Sequence, residues 1–404
     1  MDRNAQQQLG MLCARMLELA IEACRRRAAD VGQLQELLGA PDGRELLLCP
    51  TDPIDHALLV AARPDIVYTA GIPRFVEFNI DGSVGGTLQS DLLAQRFLDL
   101  LTPLDPAVDL TLPPSAVDAR FAAIRASLSP RRSARVAIPV FRHGAMAGLE
   151  NPEDYLAWLQ PMCDSGRRHG METIACQLDA LAAGERDNLL LAGEPVDAVL
   201  RLFLSVEQPT SPGLAALANA ARAGTVKLHT SEATWLLSDK TILAWLWEDR
   251  AHMTPTDRAL IERHVPWTGV FPHAATDIDQ QLRHAREHQQ QLVLKPTGGY
   301  GGGGVVLGPA VDTHEWNAAL ERAVQQGGHI LQHHVTPDSI AMDFIHLETG
   351  ETQHAEVPYV AGPFMFDRKI STTVIRHGAP GTGAVLNARN GALANTILLT
   401  TPGR

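Results

Sequence analysis

Three oxygen-bearing side chains fall close together early in the chain: Asp65, Glu77 and Asn79, within RPDIVYTAGIPRFVEFNIDGSVGG from Arg63 to Gly86. Two carboxylates and an amide oxygen are hard donors, the kind that binds Mg²⁺ while leaving positions for water and phosphate. The stretch PDIVYTAGIPRFVEFN reads as two strands around a turn at Ala70-Gly71, which brings Asp65 back across the hairpin toward Glu77. Alternation along the second strand places Phe75, Glu77 and Asn79 on one face and Val76, Phe78 and Ile80 on the other. The pattern by itself equally describes the exposed polar face of an antiparallel sheet. Beyond it, DGSVGGT offers Ser83 and backbone N–H groups to a carboxylate or a developing oxyanion, or simply caps the helix that follows.

A second stretch is poor in side chains. In QLVLKPTGGYGGGGVVLG, Gln291 to Gly308, seven glycines fall within eleven positions between two apolar runs. Each glycine loses more backbone freedom on folding than any other residue, so the run is costly. One explanation is a hairpin with a loose tip. Another is a flap whose bare backbone N–H groups approach phosphate oxygens while Lys295, at its entrance, supplies charge. The lysine precedes the glycines, unlike the Walker arrangement. In WLLSDKTILAWLW, Asp239-Lys240 opens an apolar helix. A lysine in a first helical turn opposes the macrodipole, which suggests an anionic partner, although a surface lysine is the ordinary alternative.

The elements that must position these groups form three regions. Residues 1–130 hold an N-terminal helix with apolar positions at Leu9, Leu12, Met16, Leu19 and Ala23, then the hairpin and the helix SDLLAQRFLDLL. Residues 131–225 alternate ARVAIPVF, NPEDYLAWLQPMCDSGRRHG, METIACQLDAL and DAVLRLFL, a strand-helix rhythm that predicts a parallel α/β lobe. Residues 226–404 carry the lysine helix, the glycine run, the helix HEWNAALERAVQQG and several strands. At 404 residues the chain has room for two or three lobes.

Bulk properties narrow the partners. A net charge of -12 argues against a general nucleic-acid binder, which needs a concentrated basic face. Arg25 to Arg27 is the single compact basic run and reads as the solvated end of the first helix. No stretch approaches the roughly 18 apolar residues of a membrane span, and the expectation is a cytoplasmic protein. Five scattered cysteines without a CxxC pair read as buried or incidental thiols. His333 and His334 are adjacent on a strand, face opposite ways and do not readily share a metal.

Taken together, these residues resemble the ATP-grasp ligases, and specifically the circularly permuted branch represented by eukaryotic glutathione synthetase and bacterial glutathionylspermidine synthetase. The carriers of the resemblance are Arg63 and Asp65, Glu77 and Asn79, Ser83 with Gly85-Gly86, and then Lys240, Lys295 and the glycine run, with the metal strand ahead of the lysines. The resemblance implies an α/β (α+β) ATP-grasp fold, circularly permuted, with an added parallel α/β substrate lobe. It implies that Asp65, Glu77 and Asn79 hold Mg²⁺, and that Arg63, Ser83 and Arg376 meet the transferred phosphoryl group or the substrate carboxylate. Lys240, Lys295 and Gly301, Gly302, Gly303 and Gly304 would contact the ATP phosphates. Gln332, His333, His334 and Val335, in HILQHHV, match the hinge that meets adenine, with His333 standing where the family often has glutamate. The implied activity is amide formation between a small carboxylate and a small amine, with no nucleic acid or membrane partner and with a homodimer as the common assembly of such enzymes. A small-molecule phosphotransferase and a non-catalytic nucleotide-binding regulator are the alternatives.

Overall fold

The computed structural model describes residues 1–39, 47–104, 109–128, 133–140, 151–274, 276–299, 303–346, 348–380 and 391–400. The early hairpin forms as its sequence predicts. Strand Ala61–Thr69 turns at Ala70 (φ 49°) and Gly71 (φ 73°) into strand Ile72–Asn79. Positive φ at both central residues is the two-residue turn whose twist matches that of the flanking strands. Asp65 lies directly opposite Glu77, and Arg63 opposite Asn79.

The alternation expected for the second strand fails at one residue. Pairing runs from Asp65–Glu77 straight to Ile66–Phe75, so Val76 is an extra residue, a bulge. Val76 therefore joins Glu77 and Asn79 on the cavity wall, while Phe75 and Phe78 both enter the core. The bulge satisfies two demands that strict alternation could not: a polar wall and two buried rings.

The hairpin is one edge of an antiparallel sheet completed from the far end of the chain. Its order is Leu393–Asn395, Lys369–His377, Thr352–Phe366, Ala61–Thr69, Ile72–Asn79, with Ser339–Ile345 also paired to Thr352–Phe366. Helix Arg3–Arg25, capped by the Asp2 side chain, packs Met16, Leu17 and Ala20 into the core that Phe75, Phe78 and Leu243 share. Each such fully buried leucine or methionine contributes about 1.5–3 kcal/mol. The basic run at the end of this helix is not simply solvated. Arg26 and Arg27 each reach the buried Asp249 at 2.9 Å, and Arg27 lies over the Trp245 ring at 4.8 Å. The run is a tether to the lysine helix, Thr241–Glu248.

The middle of the chain forms the parallel lobe its rhythm predicts, with strands Lys227–His229, Ala198–Leu200, Ala134–Val140 and Met171–Gln177 in that order across the sheet. Its first strand in this order falls just past residue 225, the limit expected from sequence. A third sheet orders Thr268–Phe271, His329–His333, Leu292–Pro296 and Val306–Leu307, all antiparallel. Helix Thr313–Gln326 covers it by burying Trp316 and Leu320. Cys13, Cys24, Cys163 and Cys176 are buried, and all five cysteines are free. No helix among the described residues is long and apolar enough to cross a membrane.

Candidate active site

A cavity of about 480 Å³ opens between the antiparallel sheet and the sheet of Leu292–Pro296. One wall is Arg63, Asp65, Glu77 and Asn79 from the early hairpin, with Arg376 from Lys369–His377. The facing wall is Lys240, at the N-cap of the lysine helix, and Lys295, on the strand entering the glycine run. Gly303 and the segment Gln332, His333, His334 and Val335 close it. Ser83 and Gly304 do not line the cavity, and Gly301 and Gly302 lie outside the described residues.

The two walls touch through ions. Lys240 Nζ stands 3.1 Å from Glu77 Oε1 and donates to the carbonyl of Gly299 at 3.3 Å. Lys295 Nζ donates to Gln332 Oε1 at 2.6 Å and to the Val76 carbonyl at 3.2 Å, and Gln332 in turn donates to Thr268 Oγ1 at 3.0 Å. The bulge thus has a second use, since it presents the Val76 carbonyl to Lys295. Four cations (Arg63, Arg376, Lys240, Lys295) face two carboxylates (Asp65, Glu77), so the walls carry a surplus of two positive charges. Such a cavity is built for an anion.

The arginines are held for a purpose beyond each other. Arg376 Nη2 is 2.5 Å from Asp65 Oδ2, and Arg63 Nε is 3.7 Å from Asp65 Oδ1. Arg63 also donates to the Gly85 carbonyl at 2.8 Å. Nevertheless, among the described residues, Arg63 Nε, Arg376 Nε and Asp65 Oδ1 are buried without a hydrogen-bond partner. Buried donors left unpaired are costly, and two of these are guanidinium nitrogens of arginines on the cavity wall.

Charge states follow from this packing. Burial pulls the Lys295 ammonium down from 10.5 to about 8, the positive charge of Lys240 adds to the effect, and Glu77 and Asp65 partly offset it. For Asp65, burial acts upward, but Arg376 and Arg63 outweigh it and hold the carboxyl below its usual range. Burial lowers His333, helped by His284 and His288, and lowers His334, helped by Lys295, so both imidazoles are neutral near pH 7. The amides of His333 and His334 are already given to the carbonyls of Trp267 and Gln291.

The donor set fits Mg²⁺ at two of the three expected positions. Asn79 gives its Nδ2 to the Arg63 carbonyl at 3.1 Å, which leaves its amide oxygen for a cation, and Glu77 is the carboxylate beside it. One carboxylate, one amide, water and phosphate oxygens are a normal Mg²⁺ shell. Among the described residues no three His, Cys, Asp or Glu side chains form a metal cluster. Asp65 stands between two arginines, with the Asn79 side chain also hydrogen-bonded to its carboxylate, a position suited to orienting the arginines.

A residue that supports the wall from behind also escaped the sequence reading. A Cβ on Gly362, in strand Thr352–Phe366, would lie 3.0 Å from Arg63 Cδ and 3.0 Å from Val374 Cγ1. The missing side chain gives the stem of Arg63 its path over the sheet. An isolated glycine in a strand pattern is the available signal for such a close approach.

Residues 203–332 match the family model described as a circularly permuted ATPgrasp. With the structural likeness that follows, this gives a circularly permuted ATP-grasp fold with an added parallel α/β lobe, in which the strand of Glu77 and Asn79 precedes both lysines. Among solved structures, a glutathione synthetase-like effector from Globodera pallida, in apo form, aligns over 99% of this chain and 88% of its own, with TM-score 0.54 and 10% identity. A D-alanyl-alanine synthetase A from Vibrio cholerae aligns over 67% of this chain and 74% of its own, with TM-score 0.35 and 10% identity. No curated protein matches the chain.

Proposed function

We propose that the protein is an ATP-dependent carboxylate-amine ligase that joins two small molecules, of the amino-acid class, through an acyl phosphate. The observation that carries this reading is the meeting of Glu77 with Lys240 at 3.1 Å inside a cavity that also holds Lys295, Arg63 and Arg376. A carboxylate is a poor electrophile toward an amine. Its oxygen attacks the γ-phosphorus of ATP, the bond to the bridging oxygen breaks, and ADP leaves. The amine then attacks the acyl carbon, phosphate departs with the bonding pair, and the nitrogen gives up a proton.

Lys240 and Lys295 hold the triphosphate, and Gln332 keeps the Lys295 ammonium aimed inward. Arg63 and Arg376, oriented by Asp65, receive the phosphoryl and acyl oxygens and stabilise charge as it develops. Glu77 and Asn79 would hold Mg²⁺, which when bound neutralises the phosphate oxygens during transfer. Ser83 stands away from the cavity and has no place in this scheme. Gly299 and Gly303, on the cavity wall, leave room for the phosphates to approach the backbone.

The test is to incubate the protein with ATP, Mg²⁺ and pooled amino acids and to seek a condensed product by mass. ADP release that needs both a carboxylate and an amine supports the ligase. Phosphorylated product formed without amine would replace it with a phosphotransferase, and ATP binding with no ADP release would replace it with a regulator.

A further inference from the structure

The turn after the metal strand does not line the cavity at Asp81, Gly82 or Ser83, yet it is fastened to three parts of the molecule. Ile80 donates its amide to Ser238 Oγ at 2.8 Å, and Gly82 donates to Thr230 Oγ1 at 2.9 Å. A Cβ on Gly82 would stand 2.8 to 3.0 Å from the Thr230 amide and the carbonyls of Arg201 and His229. The turn is therefore wedged, backbone to backbone, against the ends of two parallel strands of the α/β lobe.

Asp81 is the centre of this junction. Its Oδ2 accepts from Arg201 Nη2 and from Thr234 Oγ1 (2.8 Å), and its Oδ1 accepts from the Ser83 amide at 2.7 Å. Arg201 is wholly buried and also donates to the carbonyls of Thr230 and Phe203. Two residues before Asp81 lies Asn79. Beyond Thr234, Ser238 holds Ile80, and Lys240 gives its backbone amide to the Thr297 carbonyl at 2.9 Å, just past Lys295. A single carboxylate outside the cavity thus joins the end of the metal strand to the segment that carries the first lysine.

We propose that Asp81 is a positioning residue: with Arg201 and Thr234 it sets Asn79 and Glu77 at the distance from Lys240 that a metal-bound polyphosphate requires. This rests on the nucleotide reading of the cavity.

The experiment measures ADP affinity by calorimetry with Mg²⁺ and with EDTA, together with the melting temperature, for wild type, Asp81→Asn and Thr234→Val. Asp81→Asn keeps the shape and removes the charge facing Arg201, while Thr234→Val removes one bond to the same carboxylate. The expected result is a loss of about tenfold in the Mg²⁺-dependent gain in affinity for Asp81→Asn and about threefold for Thr234→Val, with Mg²⁺-free affinity changed less than about twofold. A purely structural role lowers the melting temperature and leaves that gain untouched. Wild type that binds ADP with Mg²⁺, alongside variants with an unchanged gain, overturns this inference alone. Wild type that binds no ADP overturns the nucleotide reading beneath it. Should Asp81→Asn not fold, Thr234→Val decides by the same ratio.

Discussion

Lys295 makes nucleotide binding a proton-linked event. Its ammonium loses protons around pH 8, chiefly because it is buried and secondarily because Lys240 stands nearby. A polyphosphate favours the charged form, so binding recruits a proton whenever the free lysine lacks one. With a free-state value of about 8, uptake per nucleotide is about 0.1 at pH 7, about 0.5 at pH 8 and about 0.9 at pH 9, and affinity at pH 9 is about elevenfold below its low-pH limit. Calorimetric titration with ADP and Mg²⁺, in buffers of different ionisation enthalpy, reads this uptake directly. Lys295→Met binds more weakly and shows no uptake between pH 7 and 9. Uptake near zero at pH 9 in wild type, or the same uptake in Lys295→Met, refutes the reasoning. The unliganded fold responds with the opposite sign. The folded pKa lies below the unfolded one, so between pH 8 and 10.5 the unfolded chain holds more protons, and stability rises with pH across the window in which affinity falls.

Three further outcomes follow from the geometry. Glu77→Gln or Asn79→Ala abolishes ADP release without altering the circular dichroism spectrum, whereas Asp65→Asn lowers turnover yet shifts the half-saturating Mg²⁺ concentration by less than about twofold, because its charged partners are arginines; a shift of about tenfold or more in Asp65→Asn would return Asp65 to the metal. Gly362→Val drives a side chain into the stem of Arg63 and costs about 1–3 kcal/mol in denaturant titrations, with loss of turnover; wild-type kinetics in that variant would mean Arg63 needs no such path. Arg27→Ala strips Asp249 and Glu248 of a partner and bares Trp245, for a loss of about 1–3 kcal/mol; an unchanged denaturation midpoint would show the tether to be idle.

What could be read in the sequence was mostly local. The turn at Ala70-Gly71, the parallel lobe and the strand that carries Lys295 into the glycine run are written in short-range pattern, and each is present. The bulge at Val76 is not, because it answers to packing demands on both faces of a strand at once. Nor is the seat of Asp65: its partner Arg376 arrives from a strand about three hundred residues later, and spacing within one hairpin carries no trace of it. The direction of the DGSVGGT turn was hidden for the same reason. Arg201, in another lobe, pulls Asp81 toward itself and leaves Ser83 outside the cavity. Arg25 to Arg27 looked like a hydrated helix end because Asp249 lies far along the chain.

The sheet that floors the cavity has a consequence for how this protein is born. Strand Ala61–Thr69 finds its second neighbour only in Thr352–Phe366, and that strand in turn needs Lys369–His377. During synthesis the hairpin leaves the ribosome with one edge bare and waits until strand Thr352–Phe366 has been made, an interval in which an unsatisfied edge invites wrong pairing. Closing so long a loop also slows the search for the native arrangement. Chains cut short before residue 352 therefore keep the hairpin but lack the strands that complete its sheet.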